Sequence, residues 1–350
     1  MKITPGKLWG LRRLADTEGH WRMIATDQRE YFARIVADKT DGAASYLEVA
    51  EIVSRLAIEL QEEATALLLD PIYGYLNTIQ RLRPDRGLLL SYESLDMDRS
   101  GHGVRTNAIP GWSVEKIRRV GADGVKLLVP YRADDDQAAR RHQAEFVEKT
   151  GQECAEQDIP LLLEVLIHQH EGESDEQFLV QRGDLTVAAI DAFKDQRFRV
   201  DIYKLPPPGS LSGVPEPGTP ESVELQGTYD RMVKDLPAPW VLLSAGMGKE
   251  DFRRSMHLAC TAGASGYLAG RALWAQAPDL YPSFDAITES LVGESRPYLR
   301  QLNEIVATKA TRWFDHPAVG RIELPYEMDR QFAEHYQDQR FFVADTASAL

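Results

Sequence analysis

Cysteine is nearly absent: Cys154 and Cys260 are the only two in 350 residues. They cannot build a disulfide framework, and a reducing compartment is the expected setting. Basic residues are in deficit, with 40 Lys and Arg against 54 Asp and Glu and a formal net charge of -14. A nucleic-acid partner is not expected, because a phosphate backbone needs a basic face. A small anion held by a few local cations and backbone amides remains compatible with that charge. No apolar run approaches membrane-spanning length, and "MKITPGKLWGLRRLADTEGHW" lacks the apolar core of a secretory leader. No membrane partner is expected, and a cytoplasmic location is. Nucleotide signatures are missing too. No G-x-G-x-x-G follows the first strand-like run, and "AGMGK" (245–249) fails the G-x-x-x-x-G-K-[ST] spacing.

What is present is a rhythm. The hydrophobic share of 43% and charged share of 27% suit a globular protein. Eight short apolar runs recur: "RMIATD" (22–27), "TALLLD" (65–70), "GLLLSY" (87–92), "DGVKLLVP" (123–130), "IPLLLEVL" (159–166), "FRVDIYK" (198–204), "WVLLSAG" (240–246) and "SGYLAG" (265–270). Near-continuous apolar runs fit parallel strands covered on both faces. Segments of helical period lie between them, among them "YLEVAEIVSRLAIELQEE", "DQAARRHQAEFVEKTGQECAEQ" and "DFRRSMHLACTAGA". This alternation predicts an α/β fold, a single (β/α)8 TIM barrel over residues 1–310. A doubly wound sheet is the competitor, disfavoured by the missing glycine fingerprint. Residues 205–226, "LPPPGSLSGVPEPGTPESVELQ", read as one long loop of the kind that is usually disordered or functional. Residues 311–350 form a C-terminal extension, expected to pack on the barrel or serve a subunit contact. Self-association into a homo-oligomer is expected.

Active sites of such barrels lie at the C-terminal ends of the strands. The ends offer Asp27, Asp70, Tyr92, Lys126, Glu164, Lys204, Ser244 to Gly246, and Gly270 with Arg271. Charges among Leu and Val are the informative ones, since lone buried charges are costly. Val125 and Leu127 share the face opposite Lys126, so alternation turns that lysine toward the barrel interior. The same alternation separates Glu164 from Leu163 and Val165, and Lys204 closes its strand just before three prolines. A neighbouring cation and desolvation both lower an amine's pKa and leave it nucleophilic. Such a lysine can form a Schiff base with a ketone, and a nearby glutamate can move protons. The competing reading is that Lys126, Glu164 and Lys204 form salt bridges at the barrel rim. Finding all three residues at corresponding heights on successive strands favours the chemical one.

The seventh and eighth runs end on small residues and then open helices. The turns at Ser244, Ala245 and Gly246 and at Gly270 and Arg271 can grip an anion through backbone amides, with Arg271 as a charged donor. The alternative is that these glycines only permit tight turns. "IHQHEGE" holds His168 and His170 just after the fifth run. Metal-dependent barrel hydrolases use such pairs, but the other histidines stand in no obvious ligand context. Solvent-exposed loop histidines, and neither a metal nor another cofactor, are the expectation.

Several stretches in order, "ATDQR", "PGWSVEKIRRVGADGVKLLVPY", "IPLLLEVL", "DIYKLPPP" and "WVLLSAG" with "AGASGYLAGRALW", resemble the tagatose-1,6-bisphosphate aldolase family of class I aldolases. The likeness runs from residue 7 to residue 274. It implies a Schiff-base aldolase that cleaves a phosphorylated ketose, such as tagatose 1,6-bisphosphate, to dihydroxyacetone phosphate and an aldehyde such as glyceraldehyde 3-phosphate. On that resemblance Lys204 is the Schiff-base lysine and Glu164 the acid/base. Lys126 and Asp27 are their polar partners, and Ser244, Gly246, Gly270 and Arg271 hold the ketone fragment's phosphate. The proline-rich loop and the "IHQHEGE" loop look unlike those enzymes and leave the far end of the sugar open. Related aldolases of a sulfonated fructose phosphate share the core. A phosphate-sensing regulatory barrel and a metal-dependent barrel enzyme are the readings from other classes. A sensor would not need Lys204, Glu164 and Lys126 together.

Overall fold

In the computed structural model, residues 3–324 are described except 41, 43, 100 and 101, together with 332–336. Eight parallel strands close a barrel in chain order: β1 (Trp21–Ala25), β2 (Ala66–Leu69), β3 (Gly87–Ser91), β4 (Gly124–Pro130), β5 (Leu161–Leu166), β6 (Ile202–Leu205), β7 (Trp240–Leu242) and β8 (Gly266–Ala269). The barrel closes where β8 pairs with β1, Gly266 lying opposite Trp21. Gly266 has φ +137°, and a Cβ there would sit 1.8 Å from the Trp21 carbonyl oxygen, so only glycine fits this seam.

Alternation sorts the strand residues into two cores. Met23, Ala25, Ala66, Leu68, Leu89, Leu162, Ile202, Val241 and Leu268 fill the barrel interior. Ile24, Leu67, Leu90, Val125, Leu127, Leu163, Tyr203 and Leu242 point outward into the ring of helices. Such helices need an apolar stripe. The helix Tyr46–Leu60 supplies one with Val49, Ile52, Val53, Leu56 and Leu60, all buried.

The eight runs of the sequence are the eight strands, with shorter bounds. Residues 196–198 form a 3-10 turn and Arg199 is left-handed, so β6 begins only at Ile202. The loop after it ends sooner than expected, because a helix starts at Ser222. The helix Pro5–Leu14 has no counterpart in the sequence reading. Its Gly10 and Arg13 touch Asp123, Pro160 and Gly87, at the N-terminal ends of strands, so it lies across the barrel's bottom. Trp313 stacks on Trp21 with 6.1 Å between ring centres and joins the same interior cluster. The bottom is thus sealed by apolar packing, and the strand C-termini are left for chemistry. Within the expected extension 311–350, residues 325–331 and 337–350 lie outside the described residues. No helix of the described residues is long and apolar enough to cross a membrane.

Candidate active site

Four strands deliver charge into the barrel mouth. Lys126 comes from β4, Glu164 from β5 and Lys204 from β6, while Asp27 follows β1 by two residues. Glu164 lies opposite Lys204 in the β5–β6 register. Lys126 lies opposite Leu162, one inward layer below Glu164, so the three residues are not at one height as the sequence reading expects. The reach of the lysine chain closes that gap. Lys126 Nζ is 2.9 Å from Asp27 Oδ2, 2.6 Å from Glu93 Oε1 and 3.1 Å from Glu164 Oε2. Lys204 Nζ donates to the same Glu164 oxygen at 2.8 Å. Two amines resting on one oxygen at 3.1 and 2.8 Å are at most about 5.9 Å apart.

All five groups are buried, Lys126 at 2% and Lys204 at 4% exposure. Burial opposes charge on Lys126, yet Asp27, Glu164 and Glu93 outweigh it and hold its pKa well above the usual lysine value. Burial likewise opposes ionisation of Asp27, but Lys126 and then Lys204 hold its carboxyl below the ordinary range. For Glu93 burial prevails, helped by the nearby Asp27 charge, and its pKa is raised despite Lys126. The expectation that two crowded lysines become neutral amines therefore does not hold for Lys126. With three carboxylates around it, Lys126 is a fixed cation.

Glu93 is the residue the sequence reading missed. The apolar run stops at Tyr92, but the inward alternation of Leu89 and Ser91 continues to Glu93. Glu93 also accepts the Leu128 backbone N–H at 3.1 Å, and its carbonyl receives Arg29 Nη2 at 2.9 Å. Two further strand ends serve other hydrogen-bond partners. Asp70 accepts the backbone N–H groups of Ile72, Tyr73 and Gly74 at 2.7, 2.8 and 3.1 Å and holds a turn. The Tyr92 hydroxyl reaches Glu153 on the helix Gln137–Glu156.

The two turns expected to grip an anion lie at the rim. Ala245 and Gly246 have φ of +48° and +83°, two successive positive-φ residues that turn the chain sharply after β7. The Arg271 guanidinium lies over this turn, 3.3 Å from where a Gly246 Cβ would stand. Arg271 is exposed and makes no ion pair with another described residue. Gly270 precedes it, its backbone packed close to Gln28 and the Ala25 carbonyl, and Ser244 is buried at the turn's base. Arg132 is instead fully occupied: its guanidinium holds Asp134 at 2.9 and 2.8 Å and Glu173 at 2.6 Å. His168 and His170 are not the exposed loop histidines expected. Their side chains are 13% and 20% exposed and lie on the buried Asp135.

Comparison with known proteins adds the family. Residues 22–276 match the family model described as "DeoC/LacD family aldolase". The tagatose 1,6-diphosphate aldolase of Lactococcus lactis is 29% identical over 90% of this chain and 99% of its own length. That of Staphylococcus aureus is 30% identical over 88% of this chain and 97% of its own. Among solved structures, a fructose-bisphosphate aldolase of Plasmodium falciparum superposes with a TM-score of 0.60 over 92% of this chain and 98% of that one, at 13% identity, a likeness of fold alone. An archaeal fructose 1,6-bisphosphate aldolase gives 0.52 over 85% and 97%, at 16% identity. This chain, a closed (β/α)8 barrel and a carbon–carbon lyase, belongs to the DeoC/LacD aldolase family.

Proposed function

We propose that the protein is a class I aldolase that cleaves a ketose 1,6-bisphosphate of the tagatose type, with Lys204 as the Schiff-base residue. The observation that carries this reading is the Glu164 oxygen shared between Lys204 and Lys126. Lys126 is engaged by three carboxylates, whereas Lys204 meets only Glu164 among the described carboxylates within ion-pair distance, at 2.8 Å, the distance at which a proton can pass between them. Glu164 takes one proton from the Lys204 ammonium, the neutral Nζ attacks the C2 carbonyl, and a second nitrogen proton passes to the carbonyl oxygen to give the carbinolamine hydroxyl. Glu164 then returns a proton to the departing hydroxyl, water leaves, and an iminium remains. The iminium withdraws the C3–C4 bonding pair as the C4 hydroxyl proton passes to a carboxylate, and the aldehyde fragment departs. The resulting enamine takes a proton at C3, and water releases dihydroxyacetone phosphate and restores Lys204. Each proton transfer is worth about 10²–10⁴-fold in rate.

Lys126 plays the electrostatic part. It places a positive charge 3.1 Å from the Glu164 carboxylate, and its own place is fixed by Asp27 and Glu93. Groups carried on strands hold such a geometry better than groups on loops. The turn at Ser244, Ala245 and Gly246, with Gly270 and Arg271, is proposed to grip the phosphate on C1. The second product is proposed as glyceraldehyde 3-phosphate, by analogy with the substrate in the relatives' names. A panel of ketose mono- and bisphosphates assayed for release of dihydroxyacetone phosphate tests the reading. Cleavage of tagatose 1,6-bisphosphate ahead of the unphosphorylated ketose supports it, and no release from any bisphosphate overturns it.

A further inference from the structure

Just beyond the catalytic carboxylate, two neighbouring loops bring Asp135, His168 and His170 together. Asp135 follows β4, and the two histidines follow β5, whose Leu166 pairs with Pro130 at the end of β4. Asp135 Oδ1 is 2.8 Å from His170 Nε2 and 3.1 Å from His168 Nε2. All three ligand-type atoms lie within 4.8 Å of one another. We propose that these residues form a binding site for one divalent transition-metal ion of the zinc class.

Three observations support it. The first is spacing. Around a tetrahedral ion with bonds of about 2.0–2.1 Å, neighbouring ligand atoms are about 3.3 Å apart. The two contacts on Asp135 are within about half an ångström of that. The second is an unmet need. Both ring nitrogens of His168 are buried: Nδ1 has no partner, and Nε2 meets only Asp135 Oδ1, at 3.1 Å and poorly aligned. A neutral imidazole offers one N–H and one lone pair, and burying both unmet is costly. An ion at Nε2 takes the lone pair. The third is charge. With neutral histidines the cluster holds three carboxylates, Asp134, Asp135 and Glu173, against one guanidinium, Arg132. That excess of negative charge favours a dication and disfavours a second phosphate or a sulfonate at this spot.

The ligands are also braced, as metal ligands usually are. The Arg132 backbone N–H donates to Asp135 Oδ2 at 2.9 Å, and its Nη1 donates to the His168 carbonyl at 3.2 Å. Glu173 Oε2 receives both Arg132 Nη1 and the His170 backbone N–H, at 2.6 and 3.1 Å. Two imidazoles and a carboxylate suit Zn²⁺, Co²⁺ or Fe²⁺ rather than Mg²⁺ or Ca²⁺, which want oxygen ligands. An ion there ties the β4 and β5 loops together at the active-site mouth.

The test is a Zn²⁺ titration of the full-length protein after chelator treatment and gel filtration, in competition with a chromophoric chelator. One equivalent should bind per chain, and millimolar Mg²⁺ should not displace it. His168→Ala, His170→Ala and Asp135→Asn should each weaken binding by at least about 10-fold, since even losing a ligand's supporting partner costs 10–100-fold. His257→Ala, on a distant helix, should bind as the wild type does. Borohydride trapping at Lys204 and circular dichroism establish that each variant is folded. A variant that fails to fold is replaced by Co²⁺ added to the wild type, which should give the intense visible bands of a tetrahedral nitrogen–oxygen site. No stoichiometric binding, Zn²⁺ affinity unchanged in folded His168→Ala, or an octahedral Co²⁺ spectrum overturns the proposal.

Discussion

Replacing Lys126 with methionine keeps the length and apolar stem of the side chain and removes the charge that three carboxylates share. Asp27, Glu93 and Glu164 would then face one another with side-chain exposures of 6%, 0% and 7% and lose their nearest common cation. Removing one partner of a buried ion pair costs about 3–5 kcal/mol, because the other charge stays buried and unpaired. Against a total stability of about 5–15 kcal/mol that is a large share. In the wild type the raised Lys126 pKa contributes stability that is fully present below the unfolded value of about 10.4 and lost only as pH rises through the folded one. Between pH 5 and 8 this term is therefore flat. In the variant Asp27 and Glu93 lose the Lys126 charge that draws their pKa values down, and those folded pKa values rise. Stability should then fall as pH rises through those values, so the deficit is largest at pH 8 and shrinks at pH 5. Urea unfolding at both pH values measures it, and adding Glu93→Gln to Lys126→Met should recover part of the loss. Folded Lys126→Met should still trap dihydroxyacetone phosphate at Lys204, with turnover reduced. A variant within about 0.5 kcal/mol of wild type at both pH values, with unchanged turnover, would refute the cluster's assigned electrostatics.

Glu164→Gln keeps the shape of the acid/base and should lower turnover about 10²–10⁴-fold in a steady-state assay. Arg271→Ala should raise KM for a ketose 1-phosphate by about 1.5–3 kcal/mol, the worth of a hydrogen bond to a charged group, with a smaller fall in kcat. An unphosphorylated ketose should be nearly insensitive to that change, which separates phosphate grip from structural damage. Cys260 is buried and its thiol is pushed up to about 12 by burial, and burial raises Cys154 further still. Neither should react with a thiol reagent at pH 8 until the protein is unfolded, when both should titrate.

Much of the barrel was legible because parallel strands covered on both faces write themselves as continuous apolar runs. Alternation around Lys126 and Glu164 correctly set which side chains face inward. It failed at Glu93 only because the run was cut at Tyr92. Other features depend on the third dimension. Nothing local marks the helix Pro5–Leu14 as the barrel's floor, since its apolar contacts are with strand ends far along the chain. The charge on Lys126 is set by residues 33 and 99 positions away, Glu93 and Asp27, which no spacing rule connects. Asp135 likewise gives no local sign that it will meet His168 and His170, because the β4–β5 register joins their loops. The proline run after Lys204 was readable in physical terms: the strand delivers the amine to the mouth, and fixed φ angles then turn the chain away.

The central claim is that Lys204, and not Lys126, is the amine that bonds to substrate. Incubating the protein with dihydroxyacetone phosphate and borohydride, then mapping the modified peptide by mass spectrometry, tests it most directly. One adduct per chain at Lys204, absent from Lys204→Arg, is the predicted result. An adduct at Lys126, or no adduct in protein that still cleaves the ketose, would contradict it.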